Sequence, residues 1–568
     1  MQNKTIKFNK QFLKELWQIL APYWSSEEKW FALALLLINI GCLIGMVRAN
    51  VGLNHFINDF TNSLQNFNKP GIYTAVKHFL VIIIAGLVFA AGISYFGNIL
   101  TLRWKRWLTK HYINKWLFQR TFYHLQNQNI NKVDNPDQRI AEDIDQFTSS
   151  TLSTFIILLQ AALTFFSFNY ILWNLSSTFS FSLGSMHVKI PGYLCWSALL
   201  YAVIGTWLTA WLGKKLGMLD YQQQHFNADF RFGLMRCRES GEQIASLGGE
   251  AAEENKFRAL FNRIFSNEKS IIWLTTKLES FSFAYKTISI LFGYIIALPL
   301  YFAKKIQIGN VLQISGAISN VISSLSIILS AYPKLVAWRV VIHRLAEFDN
   351  SMLKIHKKEA SLIDITEHEH QDIIIDKLNL SLPDGTSLIT NVDFNFSTGK
   401  STLINAPSGH GKTTLLRALA GLWTHGEGSI RIPKNKRILF LPQKPYLPLG
   451  SFKEILSYPH HEEITDMKIQ EILKLCGLDR FKDKLNEVKN WAQELSLGEQ
   501  QLVSLFRVFI TNPDIIFLDE ATSALDEAAE RRVYENLRTY LPDSIIVSTG
   551  HRRSLHELHD TVIGFSRA

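Results

Sequence analysis

The chain has 568 residues, which is too long for one ordinary domain and enough for several units with cores of their own. Apolar residues make up 47% of it, but they crowd into the first 335 residues, whereas the remainder has the texture of a soluble α/β protein. The net charge of +10 would suit nucleic acid, yet the Lys and Arg residues lie mainly between the apolar stretches, as the positive-inside rule expects. Nucleic acid is therefore not an expected partner.

The first predicted element is an N-terminal helix. Residues 12–23 carry an aromatic-rich face between lysines, which is typical of a helix lying along a membrane surface, and a plain cytoplasmic tail is the alternative. The basic residues at the start are not followed by a short apolar core with a small-residue cleavage site, so no removable signal peptide is expected. The four cysteines have no paired spacing, and neither a disulfide framework nor a metal motif is predicted.

Six apolar stretches then follow, each near the length of about 20 residues that a helix needs to span a bilayer. They cover residues 30–47, 79–100, 152–173, 193–212, 283–302 and 311–331. Lysines precede the first stretch and the basic run LRWKRWLTKHYINKWLFQR follows the second, whereas the segment between the third and the fourth contains one Lys. This asymmetry predicts that both termini are cytoplasmic.

The two segments expected inside the cell, 101–150 and 213–282, are long. Apolar and aromatic residues recur in them every three or four positions, which is the spacing of a helix. The membrane helices are therefore expected to extend well beyond the bilayer.

Two polar features lie within the predicted spans. Five serines follow one face of the sixth span at spacings of four, four, three and four, namely Ser315, Ser319, Ser323, Ser326 and Ser330. A solvated pathway wall and close helix packing through small residues both remain open for them. Lys286 in the fifth span is either a functional cation or a side chain that reaches back to the cytoplasmic boundary.

From Gln371 onward, short β-rich runs alternate with helical stretches, the pattern of a nucleotide-binding α/β fold. The run NAPSGHGKTT has the parts of a phosphate-binding loop: a sharp turn at 408–411, Lys412 for the outer phosphates, the Thr413 hydroxyl for Mg²⁺, and a helix whose positive end faces the anion. Ala406 stands where the motif has its first glycine, so the turn must form without positive φ at that residue.

A second motif, DIIFLDE, is an apolar strand that ends in two acids. Asp519 is expected to support the Mg²⁺ shell, and Glu520 to polarise an attacking water. Further patterns accompany it: Gln443 follows a strand in LPQKPY, a serine and a glycine precede a helix in ELSLGEQQ, SALD follows the two acids, and VSTGH ends a strand at His551. Each alone is ordinary loop or cap chemistry, but their order along the chain favours one nucleotide site.

Together these residues resemble the ATP-binding cassette of ABC transporters, and the resemblance covers essentially the whole chain. The runs RWLTKHYINKW, DNPDQRIAEDI, ADFRFGLMRCRESGEQIASLGGE, LPQKPYLPLGSFKEILSYP and LSLGEQQ are similar to the branch that contains SbmA/BacA-like and YddA-like bacterial proteins, the mycobacterial cobalamin transporter and the peroxisomal acyl-CoA transporters of subfamily D. The implied fold is that of a multidomain membrane protein, with a six-helix all-α transmembrane domain of ABC exporter type followed by an α/β P-loop NTPase cassette.

The resemblance implies a role for each motif residue. The residues implied to bind ATP are Ala406, Pro407, Ser408, Gly409, His410, Gly411, Lys412, Thr413, Thr414, Ser496, Gly498 and Glu499. The residues implied to hold Mg²⁺ are Thr413, Gln443 and Asp519, and those implied in catalysis are Glu520, His551 and Gln443. The signature motif departs from the family at two positions, because Leu497 replaces a glycine and Glu499 replaces the usual glutamine.

The resemblance also implies an assembly. In the family, ATP lies between the P-loop of one cassette and the signature of another, and this chain has one of each. It is therefore expected to act as a homodimer with two equivalent sites. Membrane lipid and a small-molecule or peptide substrate are the other expected partners. In that branch residues 239–250 join the membrane helices to the cassette, and a solvent-facing helix end is the alternative for them.

The domains are expected at 1–29 for the interfacial helix, 30–335 for the transmembrane domain, 336–370 for a linker and 371–568 for the cassette. The expected function is ATP-driven transport of a bulky hydrophilic solute, such as a peptide or cobalamin, across a bacterial inner membrane, with import favoured over export. Export of amphipathic compounds and a membrane-anchored ATPase that regulates a partner are the alternatives.

Overall fold

A computed structural model describes residues 10–127, 135–176, 179–183, 186–357, 363–407, 409–459 and 464–564. The chain divides into two compact units. The first contains the long helices up to His356, and the second contains the strands and shorter helices from Lys357 onward.

The first unit is built from helices. They are α1 (Lys10–Trp24), α2 (Lys29–Gln65), α3 (Lys69–Leu117), α4 (Thr121–Asn127), α5 (Pro136–Gln138), α6 (Ile144–Leu175), α7 (Tyr193–Gly213), α8 (Leu216–Glu239), α9 (Gly241–Ser246), α10 (Glu250–Phe302) and α11 (Ile308–Lys357). A 3-10 turn, Phe118–Arg120, precedes α4, and a π-helical turn, Arg139–Asp143, precedes α6. Between α6 and α7 the strands β1 (Phe179–Leu183) and β2 (Met186–Ile190) form an antiparallel hairpin.

Within the described residues, five helical segments are long and apolar enough to cross a membrane, judged by length and composition. They are Lys29–Gln65, Lys69–Gln126, Pro136–Leu175, Tyr193–Glu239 and Glu250–Phe302, and they contain the first five predicted stretches. The sixth predicted stretch lies in α11, where the side chains of residues 328–333 are outside the described set. Its crossing of the membrane stays a prediction.

The helices are much longer than a bilayer requires. With a rise of about 1.5 Å per residue, the 49 residues of α3 and the 53 residues of α10 span about 73 and 80 Å, against a hydrocarbon core of about 30 Å. The predicted segment 239–250 contains the short helix α9 between α8 and α10, and most of its residues are exposed.

Helix α1 contains the predicted segment 12–23 and has two faces. Its buried face includes Ile19 and Tyr23, and Tyr23 stacks on Trp104 of α3 with ring centroids 5.7 Å apart. On the other face, Leu13 and Trp17 are 63% and 66% exposed. An apolar outer face of this kind suits contact with lipid.

The first of the five serines on the face of the sixth predicted span, Ser315, packs against a neighbouring helix. Ser315 is buried, and its hydroxyl donates to the Ile290 carbonyl of α10 at 3.0 Å. A Cβ at Gly293 would lie 2.6 Å from the Ser315 Cα, so the two helices touch through small residues at this point. The next three serines are half-buried, and the Ser330 side chain is outside the described set. Lys286 is exposed on α10.

The second unit contains two main sheets. Its strands are β3 (Ile363–His368), β4 (Ile373–Ser381), β5 (Ser387–Phe396), β6 (Ser401–Ile404), β7 (Gly426–Pro433), β8 (Ile438–Leu441), β9 (Gly450–Ser451), β10 (Val488–Lys489), β11 (Ile515–Asp519), β12 (Ile545–Thr549) and β13 (Thr561–Ile563). Its helices are α12 (Lys412–Leu419), α13 (Phe452–Ser457), α14 (Asp466–Cys476), α15 (Trp491–Glu494), α16 (Leu497–Thr511), α17 (Glu527–Tyr540) and α18 (Ser554–Glu557), with a 3-10 helix at Asp479–Lys484. One sheet has the order β3-β7-β4-β5 and the other β13-β6-β12-β11-β8, while β9 and β10 form a short separate pair.

The five-stranded sheet is parallel and creates the edge at which the predicted motifs meet. All residues of β11 and β12 are buried, as expected for central strands covered on both faces. The β6, β12, β11 and β8 strands lie side by side, so their carboxyl ends reach the same edge. Ligands of open α/β sheets bind at this edge.

Candidate active site

The loop after β6 makes its sharp turn with glycines. Gly409 has φ +80° and Gly411, the N-cap of α12, has φ +89°, a region that favours glycine. Ala406 is not among the described non-glycine residues with positive φ, so an alanine fits where the motif has glycine. Ser408, a predicted ATP ligand, lies outside the described residues.

The rest of the loop is ordered by its own backbone. The His410 N–H donates to the Pro407 carbonyl at 3.4 Å. Thr414 is half-buried in the first turn of α12, a helix that is anchored by buried Leu415 and Leu416. The loop therefore stands on a helix that is fixed in the core.

Lys412 is the cation of this loop and is only 7% exposed. Its ammonium donates to the Ala406 carbonyl at 2.8 Å and forms a second hydrogen bond with the His551 ring. Burial lowers the pKa of Lys412, while the Glu520 and Asp519 carboxylates oppose this shift. Both partners of the ammonium are weaker than a phosphate, which offers charge-assisted hydrogen bonds.

Asp519 joins the two phosphate motifs at the end of β11. Its Oδ1 accepts from the Thr413 hydroxyl at 2.9 Å and from the Thr549 hydroxyl at 3.0 Å. Hydroxyl and carboxylate oxygens are thus gathered beside the first turn of α12. Such hard donors suit Mg²⁺.

Glu520 follows in a left-handed conformation with φ +49°, which is rare for a residue with a side chain. Its N–H donates to the Thr549 hydroxyl at 3.1 Å. Its carboxylate accepts from the Gln443 amide at 2.8 Å and lies 3.5 Å from His551 Nε2. The three predicted catalytic side chains therefore form one cluster.

The signature residues form the start of α16. Ser496 is the N-cap: its hydroxyl accepts from the Glu499 N–H at 3.3 Å, and the Glu499 carboxylate accepts from the Ser496 N–H at 3.0 Å. A Cβ at Gly498 would lie 3.0 Å from the Ala524 carbonyl oxygen, so a side chain here would require that carbonyl to shift by a few tenths of an ångström. Leu497, which replaces a glycine, is 48% exposed and meets no such constraint.

The structure thus gathers some predicted residues and separates others. It brings together Lys412, Thr413, Gln443, Asp519, Glu520 and His551. In the part of the chain that the structure describes, no hydrogen bond connects Ser496 or Glu499 to the loop 406–411. The described hydrogen bonds of Ser496 and Glu499 lie instead within the start of α16 itself.

Sequence reasoning missed Gln501, which is fully buried between three motifs. Its amide nitrogen is 3.1 Å from the Gln443 carbonyl, 3.4 Å from the Glu520 carbonyl and 3.2 Å from the Ser523 hydroxyl. Its amide oxygen accepts from the Ala524 N–H at 2.9 Å. The available signal was a glutamine on the apolar face of a helix, which needs polar partners there.

The same two-part organisation is found in known proteins. Residues 16–302 match the ABC transporter transmembrane region 2, and residues 389–523 match the ABC transporter cassette. An uncharacterized ABC transporter ATP-binding protein of Haemophilus influenzae is 33% identical over 97% of this chain and 91% of its own length. The lysosomal cobalamin transporter of Homo sapiens is 26% identical over 98% of this chain and 95% of its own length.

A solved structure shares the fold. It is a bacterial Atm1-family ABC exporter with ATP bound, which aligns with a TM-score of 0.73 and 15% identity, covering 94% of this chain and 93% of the exporter chain. The chain therefore belongs to the ABC transporter family, as a multi-pass membrane protein whose helical transmembrane domain precedes an ATP-binding cassette and which couples ATP hydrolysis to transport.

Proposed function

We propose that two copies of this chain form a homodimeric transporter that imports a bulky hydrophilic solute, such as a peptide or cobalamin, across a bacterial inner membrane. One observation carries the dimer: each chain has one phosphate loop and one signature, and among the described residues no hydrogen bond joins Ser496 or Glu499 to the loop 406–411. A nucleotide that needs both must take them from two chains.

The signature surface suits this role. Ser496 is exposed at the N-terminal end of α16, a helix of 15 residues. The N–H groups of its first turn and the helix dipole attract anions. A phosphate held by Lys412 of one chain would meet Ser496 and Gly498 of the other.

The residues around Asp519 fit Mg²⁺, since Thr413, Gln443 and Asp519 offer a hydroxyl, an amide oxygen and a carboxylate. When bound, the ion would neutralise charge on the phosphate oxygens. Glu520 would orient the attacking water or accept its proton, because its carboxylate is held beside the metal residues by Gln443. His551, which contacts the Lys412 ammonium, would face the outer phosphate.

Transport needs a difference in affinity between states. ATP shifts a conformational equilibrium only if it binds one state better, and the closed pair of cassettes is that state. Closure and release would alternate the access of the membrane helices between the two faces of the bilayer.

The substrate and the location rest on similarity and on charge. The human relative is a cobalamin transporter, which supports a bulky hydrophilic solute. The Haemophilus influenzae relative supports a bacterial membrane, and the basic segments beside the spans support cytoplasmic termini.

Vesicle transport tests the proposal. Purified protein is reconstituted, and labelled cobalamin and peptides are offered to right-side-out vesicles loaded with ATP and to inside-out vesicles given ATP outside. We expect ATP-dependent accumulation in the right-side-out vesicles. Greater accumulation in the inside-out vesicles would make the chain an exporter, and ATP hydrolysis without movement of any solute would favour a regulatory ATPase.

The matched control is Glu520→Gln, which keeps the shape of the side chain and removes its charge. It should bind ATP as the wild type does and lose nearly all turnover and accumulation. Substantial ATPase activity in the purified variant would contradict the role of Glu520.

A further inference from the structure

The signature of this chain carries a negative charge where it is expected to meet a phosphate. Glu499 is the third residue of α16, and one carboxylate oxygen accepts from both the N–H and the hydroxyl of Ser496 at 3.0 Å. This arrangement stabilises the helix start. It also places a carboxylate within one helical turn of the surface that would receive the γ-phosphate of the partner's ATP, well inside the screening length of about 8 Å at physiological salt.

A cation from another element faces this carboxylate. Arg480, in the 3-10 helix Asp479–Lys484, forms an ion pair with the second oxygen of Glu499. The Arg480 side chain is 67% exposed, whereas that of Glu499 is 17% exposed. The pair therefore has its anion inside and its cation facing solvent.

An aromatic ring of the same 3-10 helix contacts Arg480 and helps to fix its position. Its guanidinium lies over the Phe481 ring, 4.7 Å from the centroid. Phe481 is buried and packs on Phe452 and Trp491 with centroids 5.1 and 6.0 Å away. An arginine held on an aromatic ring loses less freedom when it pairs, and its planar group retains donors for a further acceptor.

We infer that Arg480 is a positioning residue for ATP, which neutralises Glu499 so that the start of α16 still attracts the phosphate bound by the partner chain. The inference rests on the proposed function, because it requires the signature to complete the partner's site. In this chain the departure from glutamine at position 499 is offset by an arginine 19 residues earlier.

An ordinary surface ion pair predicts something different. When Arg480 is removed, the Glu499 carboxylate keeps its hydrogen bonds from the N–H and the hydroxyl of Ser496, and the lost guanidinium is itself mostly exposed. The unfolding temperature should therefore change little in either case. Only a role at the phosphate predicts that the loss appears in the KM for ATP, and only repulsion by Glu499 predicts that removal of the Glu499 charge repairs it.

The test is ATPase kinetics of the full chain in lipid nanodiscs. Arg480→Ala should raise the KM for ATP at least tenfold, with kcat within about threefold of wild type and the same unfolding temperature. The double variant Arg480→Ala with Glu499→Gln should return KM to within about threefold of wild type. The KM of Arg480→Lys should lie between that of wild type and that of Arg480→Ala. Arg480→Gln is a milder neutral replacement, and its KM should rise as that of Arg480→Ala does.

The matched control is Arg531→Ala. Arg531 is another exposed arginine, on α17, and its guanidinium forms an ion pair with the Glu557 carboxylate at 3.2 Å. It should leave KM unchanged. A KM within twofold of wild type in both neutral Arg480 variants, or a double variant as impaired as the single one, overturns the inference. Absence of ATPase activity in the wild type would instead count against the proposed function.

Discussion

At the scale of single residues, a buried histidine links the stability of the cassette to pH. His559 is 7% exposed, its Nδ1 donates to the Leu555 carbonyl at 2.7 Å, and its Nε2 accepts from the Ser548 hydroxyl at 2.9 Å. Burial lowers the pKa of His559 from 6.5 to about 4. Between pH 6.5 and 4 the histidine is protonated in the unfolded chain but stays neutral in the folded chain. The stability contributed by the neutral ring is therefore fully present above pH 6.5 and is lost as the pH falls toward 4.

The size of this effect sets the first prediction. A difference of about 2.5 pKa units corresponds to about 3 kcal/mol. We expect His559→Gln to unfold at a lower temperature than wild type at pH 7.5, and the gap to shrink at pH 5.0, because only the wild type loses this contribution. Thermal unfolding of the full chain in detergent measures the gap. A gap of the same size at both pH values would show that burial does not control the titration of His559.

At the scale of elements, helix α16 organises the catalytic loops as well as carrying the signature. Gln501 on its buried face holds the backbone of Gln443, of Glu520 and of the loop at Ala524. Gln501→Leu keeps the volume and leaves these buried groups without partners. We expect kcat to fall at least tenfold with a KM for ATP within threefold, because the loss affects the alignment of Glu520 more than the binding of phosphate.

The comparison for that prediction is Gln493→Leu in α15, where the side chain is exposed. Steady-state ATPase assays of both variants decide the matter. Equal kcat values for Gln501→Leu and wild type would mean that the loops keep their positions without this anchor.

The strands and long helices could be predicted from the sequence, whereas the partners of buried polar side chains could not. The apolar runs of β11 and β12 and the apolar stretches of the long helices could be predicted, because burial leaves a local pattern of side chains. The partners of buried polar groups could not. Arg507 donates to the Ile455 and Tyr446 carbonyls, 52 and 61 residues away, and a backbone carbonyl has no residue type to reveal it. The ion pair between Arg480 and Glu499 also joins residues that are distant in sequence, so it could be found only in the folded chain.

At the scale of the whole molecule, the proposed site is a property of two chains, because the phosphate loop of one is proposed to face the signature of the other. Lys412 belongs to one surface and Gly498 to the other, where a side chain would press on the Ala524 carbonyl at 3.0 Å. Lys412→Ala should abolish phosphate binding by the first surface. Gly498→Asp should abolish phosphate binding by the second, because the new side chain is bulky and negatively charged. A dimer made wholly of either variant has no intact site.

A mixed dimer separates the shared arrangement from a self-contained one. If one chain carries Lys412→Ala and the other Gly498→Asp, one site pairs the two damaged surfaces and the other pairs the two intact ones. On a background of Glu520→Gln, which stops turnover, differently tagged chains are co-expressed, purified through both tags and assayed for ATP retained after gel filtration. We expect two ATP per dimer with Glu520→Gln alone, one in the mixed dimer and none in either uniform dimer. If each chain instead built a complete site by itself, both sites of the mixed dimer would be damaged and no ATP would be retained.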